Sequence, residues 1–244
     1  MTTRPFSYYD LLESLQKPGC PICTLLLRDA ERFLSTLLYE YVTEPDIQNA
    51  FRAGRGFCNP HSWQLTQFKG SVVGIAMLYE AAVDEALTIT SQVQATGVPP
   101  SALSRLLNKL SDSGGGVSPV SSALEPAGPC LVCELLAKTE KDYILAMGQY
   151  VAEEALQEAY RQSDGLCLPH FRLVLGEIHD PAQQNRLVSF QMSHWKKLKA
   201  ELSEFIRKND FNYAHEAMGE EADSWQRAIR QLCGEKGVFG LSPP

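Results

Sequence analysis

Six of the seven cysteines and two of the five histidines fall into pairs with the spacing of metal ligands. Cys20-Pro21-Ile22-Cys23 is followed after 34 residues by Cys58-Asn59-Pro60-His61. Cys130-Leu131-Val132-Cys133 is followed after 33 residues by Cys167-Leu168-Pro169-His170. Thiolates and imidazoles are the donors that zinc prefers, and Cys₃His is one of its closed tetrahedral sets. Two ligands separated by two residues reach one ion from a single turn of chain. The spacing predicts two metal sites, Cys20, Cys23, Cys58 and His61 in one and Cys130, Cys133, Cys167 and His170 in the other. Two Zn²⁺ per chain is the expected load. An iron–sulfur cluster is the alternative, since such clusters also take cysteine and, in some cases, histidine.

Other uses of these cysteines fit less well. A thioredoxin-type Cys-x-x-Cys belongs to a βαβ context, which this sequence lacks. Attachment of a c-type haem needs histidine directly after the second cysteine, where Thr24 and Glu134 stand. Ordinary core cysteines account for one Cys-x-x-Cys but not for two, each followed at matched distance by Cys-x-Pro-His. Cys233 lies outside the pattern and reads as a packed or free thiol.

The elements that must position these residues repeat with them. The first ligand pairs are offset by 110 residues and the second by 109, and Leu25-Leu26 matches Leu135-Leu136, Phe33 matches Tyr143, and Gly56-Phe57 matches Gly165-Leu166. Apolar residues recur at helical spacing through Leu25–Tyr41 and Val72–Leu87, and no run alternates as a strand would. Pro60 and Pro169 read as first-turn prolines, and Gly56 and Gly165 as left-handed stops of the preceding helices. A Cys₃His zinc centre carries one net negative charge, which helix N-termini stabilise. The residues between the ligand pairs of each copy fit two helices running out and back. The expected fold is all-α, with two pseudo-symmetric helical repeat units, each organised around its own Cys₃His site, and a C-terminal docking helix. The boundaries are 1–97 for the first unit, 98–125 for a Pro/Gly/Ser linker holding a short helix over Ala102–Leu110, 126–208 for the second unit, and 209–244 for the tail. Long helices are expected over Leu187–Ile206 and Glu220–Cys233.

Composition bounds the partners. Hydrophobic residues make up 44% and charged residues 21%, as in globular proteins with a buried core. A net charge of −7 argues against nucleic acid, and the Lys196–Lys208 basic run is broken by Glu201 and Glu204 into a solvated helix face. The apolar stretch from Val72 to Ile89 carries Glu80, Asp84 and Glu85, so no membrane span is expected. The first residues hold no apolar signal segment, and a cytoplasmic location is the expectation. There, patterned cysteines serve as ligands or redox groups more often than as disulfides.

Outside the ligand pairs, His215, Glu216, Glu220 and Asp223 form a candidate polar site in the tail, set against a reading in which they cap and dock the last helix. His179 reads as a loop or cap residue, and His194 as part of a helix face. No nucleophile with its base, phosphate loop or H-E-x-x-H motif is present. On Cys20, Pro21, Cys23, Phe57, Cys58 and His61, with Cys130, Cys133, Cys167 and His170, the chain resembles an uncharacterised bacterial family. Its members share a duplicated C-P-x-C…F-C-x-x-H unit and a C-terminal stretch like Phe211–Trp225. The resemblance covers all but the Gly/Ser linker and departs after Cys130, where Pro21 has no counterpart. It implies metal binding and no activity. The functional expectation is a non-enzymatic interaction or adaptor protein with structural metals and a protein partner or homo-oligomer. The alternatives are a thiol-based redox or metal-responsive protein, and an enzyme with a site between the halves.

Overall fold

The structure, a computed structural model, describes residues 4–96, 118–213 and 215–239. Regular structure among these residues is helical throughout. In chain order come α1 (Phe6–Ser14), α2 (Pro21–Thr36), which continues into a π-helical turn at Leu37–Tyr41, α3 (Pro45–Ala53), α4 (Asn59–Leu65) and α5 (Val72–Thr96). Then follow α6 (Pro119–Leu124), α7 (Leu131–Tyr150), α8 (Glu154–Gln162), α9 (Leu168–Glu177), α10 (Pro181–Lys208) and α11 (Ser224–Cys233). The helix expected over Ala102–Leu110 and the Gly/Ser stretch after it lie outside the described residues.

Local chemistry fixes the helix ends. Proline occupies the first turn of α3, α4, α9 and α10, where its missing N–H leaves nothing unsatisfied. The Asp180 carboxylate accepts from the Ala182 N–H at 2.9 Å, so α10 starts at Pro181, earlier than the apolar pattern alone suggests. At the tail, Glu220–Asp223 forms a 3₁₀ turn, and the α-helix begins only at Ser224.

Packing divides the chain into two units, one made of Met1–Asp29 with Leu136–Pro244 and the other of Ala30–Leu135. Both divisions fall inside helices, α2 and α7, and so run across the boundaries 1–97 and 126–208 read from the repeat. The cause is unequal helix length. At about 1.5 Å per residue, α2 with its π turn advances about 30 Å while α3 retraces about 13 Å. The same holds for α7, with 20 residues, and α8, with 9. An out-and-back pair this lopsided does not bring its end back to its start.

In the first unit, Leu11 and Leu15 of α1, Ile22 and Leu25 of α2, Met147 of α7, Leu156 and Tyr160 of α8, Val174 of α9 and Leu187 of α10 share one core with Cys20, Cys23 and Cys167. Each large apolar side chain buried there contributes about 1.5–3 kcal/mol. At the edge of this core, Arg28 donates two hydrogen bonds to Asp10 at 3.0 and 2.9 Å, and the Tyr143 hydroxyl donates to Asp29 at 2.7 Å. In the second unit Leu34, Leu37, Phe51, Leu65, Leu78, Ile89 and Val132 are buried. Phe51 meets Phe57 and Tyr79 edge-on, with ring centres 4.9 and 5.1 Å apart. α11 reverses the usual amphipathic arrangement: polar Ser224 and Gln231 are buried while Trp225, Ile229 and Leu232 face outward.

Candidate metal centres

All four ligand pairs are built alike. Cys20, Cys58, Cys130 and Cys167 each stand just before a helix, their carbonyls accepting from Thr24, Ser62, Glu134 and Phe171 N–H groups at 2.8–3.0 Å. The second ligand of each pair lies three residues on, in the first helical turn and on the same face. Gly56 (φ +95°) and Gly165 (φ +79°) supply the left-handed residue ahead of Cys58 and Cys167, as the sequence predicts. At Gly56 the turn closes with a hydrogen bond from its N–H to the Phe51 carbonyl, 2.9 Å long.

The eight ligand-type residues gather into two clusters, but not by repeat. Cys20 and Cys23 meet Cys167 and His170, while Cys58 and His61 meet Cys130 and Cys133. The pairing within each repeat is therefore corrected: each cluster takes its Cys-x-x-Cys from one copy and its Cys-x-Pro-His from the other. The unequal helices give the reason, since α3 and α8 are too short to carry a Cys-x-Pro-His back to the Cys-x-x-Cys of its own copy. Each cluster lies wholly within one packing unit.

Within each cluster all ligand atoms lie within 4.8 Å of one another, so either could hold a metal ion. In the first, His170 Nδ1 is 3.4 Å from Cys20 Sγ, 3.4 Å from Cys23 Sγ and 3.3 Å from Cys167 Sγ, and the Cys23 and Cys167 sulfurs are 3.7 Å apart. In the second, His61 Nδ1 is 3.1, 3.6 and 3.5 Å from the sulfurs of Cys58, Cys130 and Cys133, and Cys58 Sγ is 3.5 Å from Cys133 Sγ. Both histidines turn Nδ1 inward. His170 Nε2–H donates to Glu140 Oε1 at 3.0 Å, which fixes the tautomer and leaves Nδ1 free to ligate.

Crowding four such groups couples their protons. Burial pushes Cys20 up, but hydrogen bonds with Cys167, Cys23 and His170 bring it well below the ordinary thiol value. Burial likewise pushes His170 down, and Cys167, Cys20 and Glu140 override this to raise it to about 11. Cys23 goes up, because hydrogen bonds with Cys167 and Cys20 retain its proton and burial adds to them. In the second cluster burial raises Cys130, yet hydrogen bonds from His61 and from the Cys58 and Cys133 backbones draw it down to about 6. Burial and the Cys130 charge push Cys133 up. A divalent cation bound at either set would take the place of the protons that the set shares.

Supports that the sequence did not reveal hold each pair of ligand loops together. The Asp164 carboxylate accepts from the Gly19 N–H at 2.7 Å, tying the approach to Cys20 to the approach to Cys167. The Leu166 N–H reaches Gln191 Oε1 at 3.1 Å and the Tyr160 hydroxyl at 3.2 Å, and Gln231 donates to the Asp164 carbonyl at 2.6 Å. The inward polar face of α11 thus serves the ligand loop. In the second unit the Ala127 N–H donates to the Ala53 carbonyl at 2.7 Å, and Arg55 donates to the Ala123 carbonyl at 3.2 Å, which brings the Cys130 segment to the α3–α4 turn. Gln191 carried one signal, its place in line with Leu187 and Trp195 on the apolar side of α10, whereas Gln231 sits on the polar side of α11 and carried none. Glu140 and Asp164 carried none.

The remaining candidates do not assemble. Glu216 accepts from Arg207 at 3.1 and 2.5 Å, whereas Asp223 accepts from Arg227 at 2.8 Å, and His215 and Glu220 are exposed. The buried acid of the tail is Glu221, 2.7 Å from Lys208 Nζ. These contacts dock the tail. His194 is half-buried with Nε2 3.1 Å from the Tyr160 carbonyl, His179 is exposed, and Cys233 is an exposed free thiol. Among the described residues no helix is long and apolar enough to cross a membrane.

The chain belongs to a family of unknown function, DUF6062, whose sequence model matches residues 10–238 and so spans both clusters. No curated protein and no solved structure matches it.

Proposed function

We propose that this member of the family is a zinc-holding helical protein in which both ions are structural, and that it works as an interaction module. The observation that carries the reading is the spacing of the ligand atoms. Around an ion with bonds near 2.3 Å to sulfur and 2.0–2.1 Å to nitrogen, tetrahedral edges measure about 3.8 Å between sulfurs and about 3.5 Å between sulfur and nitrogen. One sulfur pair in each set, Cys23–Cys167 and Cys58–Cys133, stands 3.7 and 3.5 Å apart, and the sulfur–nitrogen pairs 3.1–3.6 Å. All four ligand atoms of each set lie within 4.8 Å of one another, a spacing that one ion can bridge. A multi-iron cluster would instead divide its protein ligands between two or more irons.

Four protein ligands fill a tetrahedron and leave no position for substrate, which supports structure over catalysis. The ligands come from distant parts of the chain, so ion binding and folding are one equilibrium. An interaction role is supported by the outward stripe Trp225, Ile229 and Leu232 on α11, whose spacing puts all three on one face. Elemental analysis with a visible spectrum tests the metal. Two zinc ions per chain and no absorption band are expected, and a broad band from a coloured protein would overturn the assignment. Chelation followed by circular dichroism tests the structural role, with loss of helicity expected and unchanged helicity after verified metal removal contradicting it. Ile229→Asp leaves the buried face of α11 untouched; it should weaken partner capture or self-association without changing metal content.

A further inference from the structure

We infer that the two centres differ in chemistry: the Cys58–His61–Cys130–Cys133 centre is a thiolate site that reacts with hydroperoxides and gives up its ion, while the Cys20–Cys23–Cys167–His170 centre keeps its own. The inference rests on the metal reading above and assigns a reaction to one of its two sites.

Access separates them. Cys20 is 3% exposed, and Cys23, Cys167 and His170 are 0% exposed, enclosed in the core of the first unit. The segment after α11 lies over this centre. The Phe239 ring sits 4.7 Å from the His170 ring, and Gly234 lies so close that a Cβ there would stand 3.5 Å from Cys23 Sγ. In the second centre Cys58, Cys130 and Cys133 are all partly open to solvent, and only His61 is buried. Oxidation of a thiolate requires the oxidant to reach sulfur along the axis of the bond it breaks, so exposure decides which centre reacts.

Geometry carries the second step. Cys58 and Cys133 come from different ligand pairs, yet their sulfurs stand 3.5 Å apart. A thiolate attacking hydrogen peroxide takes one oxygen, breaks the O–O bond and releases hydroxide, becoming a sulfenic acid. The neighbouring thiolate then attacks that sulfur and expels a second hydroxide, closing a disulfide. In sum, two thiolates and one peroxide give one disulfide and two hydroxides, with two electrons passing from sulfur to oxygen. Cys130 and His61 remain, too few to hold a tetrahedral ion, and the metal leaves. A small dithiol reverses the change by exchange, becoming a cyclic disulfide as the two thiols re-form.

The test uses the full chain with Cys233→Ser, which removes the exposed thiol outside both centres, loaded with zinc and counted by native mass spectrometry. Hydrogen peroxide is added with a chromogenic chelator present, and the cysteines are mapped by peptide mass. One zinc should leave first, with a disulfide joining Cys58 to Cys133, and the second should leave at least about tenfold more slowly. Dithiol with added zinc should restore two ions. Loss of both ions together, oxidation appearing first at Cys20, Cys23 or Cys167, or no release at all would overturn the inference. Fewer than two ions bound before oxidation would instead overturn the metal reading on which it stands.

Discussion

Exchange of ligand pairs between repeats makes opposite predictions for two double variants of equal size. Cys20→Ser/Cys167→Ser removes two ligands from one centre, whereas Cys20→Ser/Cys58→Ser removes one from each. An ion in such a site has an apparent binding free energy of about 10–16 kcal/mol. That is as large as the whole stability of an ordinary domain, about 5–15 kcal/mol. Once Cys20→Ser has cost the first centre its ion, adding Cys167→Ser costs only the burial of a second hydroxyl in an apolar core, about 1–3 kcal/mol. The pair is thus strongly non-additive, while Cys20→Ser and Cys58→Ser add. The first double variant should retain one zinc by native mass spectrometry and keep the second unit helical, and the second should retain none. One ion in Cys20→Ser/Cys58→Ser with none in Cys20→Ser/Cys167→Ser would refute the exchange and restore pairing within each repeat.

Three further outcomes follow from particular contacts. Glu140→Gln removes the carboxylate that orients His170, and it should weaken one of the two ions about tenfold in chelator competition. The low end of the usual range applies because the Glu140 side chain is 28% exposed; equal weakening of both ions would contradict the assignment. Gly165→Ala places a Cβ on a residue with φ +79°, 2.8 Å from His194 Cδ2 and 2.9 Å from Gln191 Oε1. The left-handed backbone alone costs about 1–2 kcal/mol, so the melting temperature should fall and the first centre should loosen with it. The Lys208 ammonium, with the Gly219 N–H, holds the Glu221 carboxyl at about 2, below its ordinary 4.5. A depressed acid stabilises the fold above its unfolded value, so docking of α11 should weaken as pH falls from about 4.5 through about 2, read as faster amide exchange in Ser224–Cys233. Lys208→Met should flatten that dependence.

The candidate ligands were legible because metal chemistry writes itself locally. A Cys-x-x-Cys or a Cys-x-Pro-His needs only its own first helical turn to point both ligands one way, and proline and glycine mark that turn in the sequence. Gly56 and Gly165 take the left-handed backbone for the same local reason. The supports are different in kind. Asp164 reaches Gly19 and Glu140 reaches His170 from far along the chain, and an acid on a helix or loop looks the same in sequence whether it faces water or a ligand loop. The tail carboxylates show the converse: residues near one another in sequence went to separate cations, Arg207 and Arg227, because a 3₁₀ turn at Glu220–Asp223 and the start of α11 turn them apart.

By itself, then, the sequence determined that the chain is helical and which eight side chains are of ligand type, since helix periodicity, first-turn prolines and the reach of paired ligands are properties of a few consecutive residues. Only the tertiary structure decided which pairs meet. That choice depends on how far each helix carries the chain, and α2 and α7 overshoot what α3 and α8 return. Tertiary packing also decided the unequal burial of the two centres: one lies inside a core with Gly234 and Phe239 against it, and the other, within the second unit, leaves its three cysteines partly exposed.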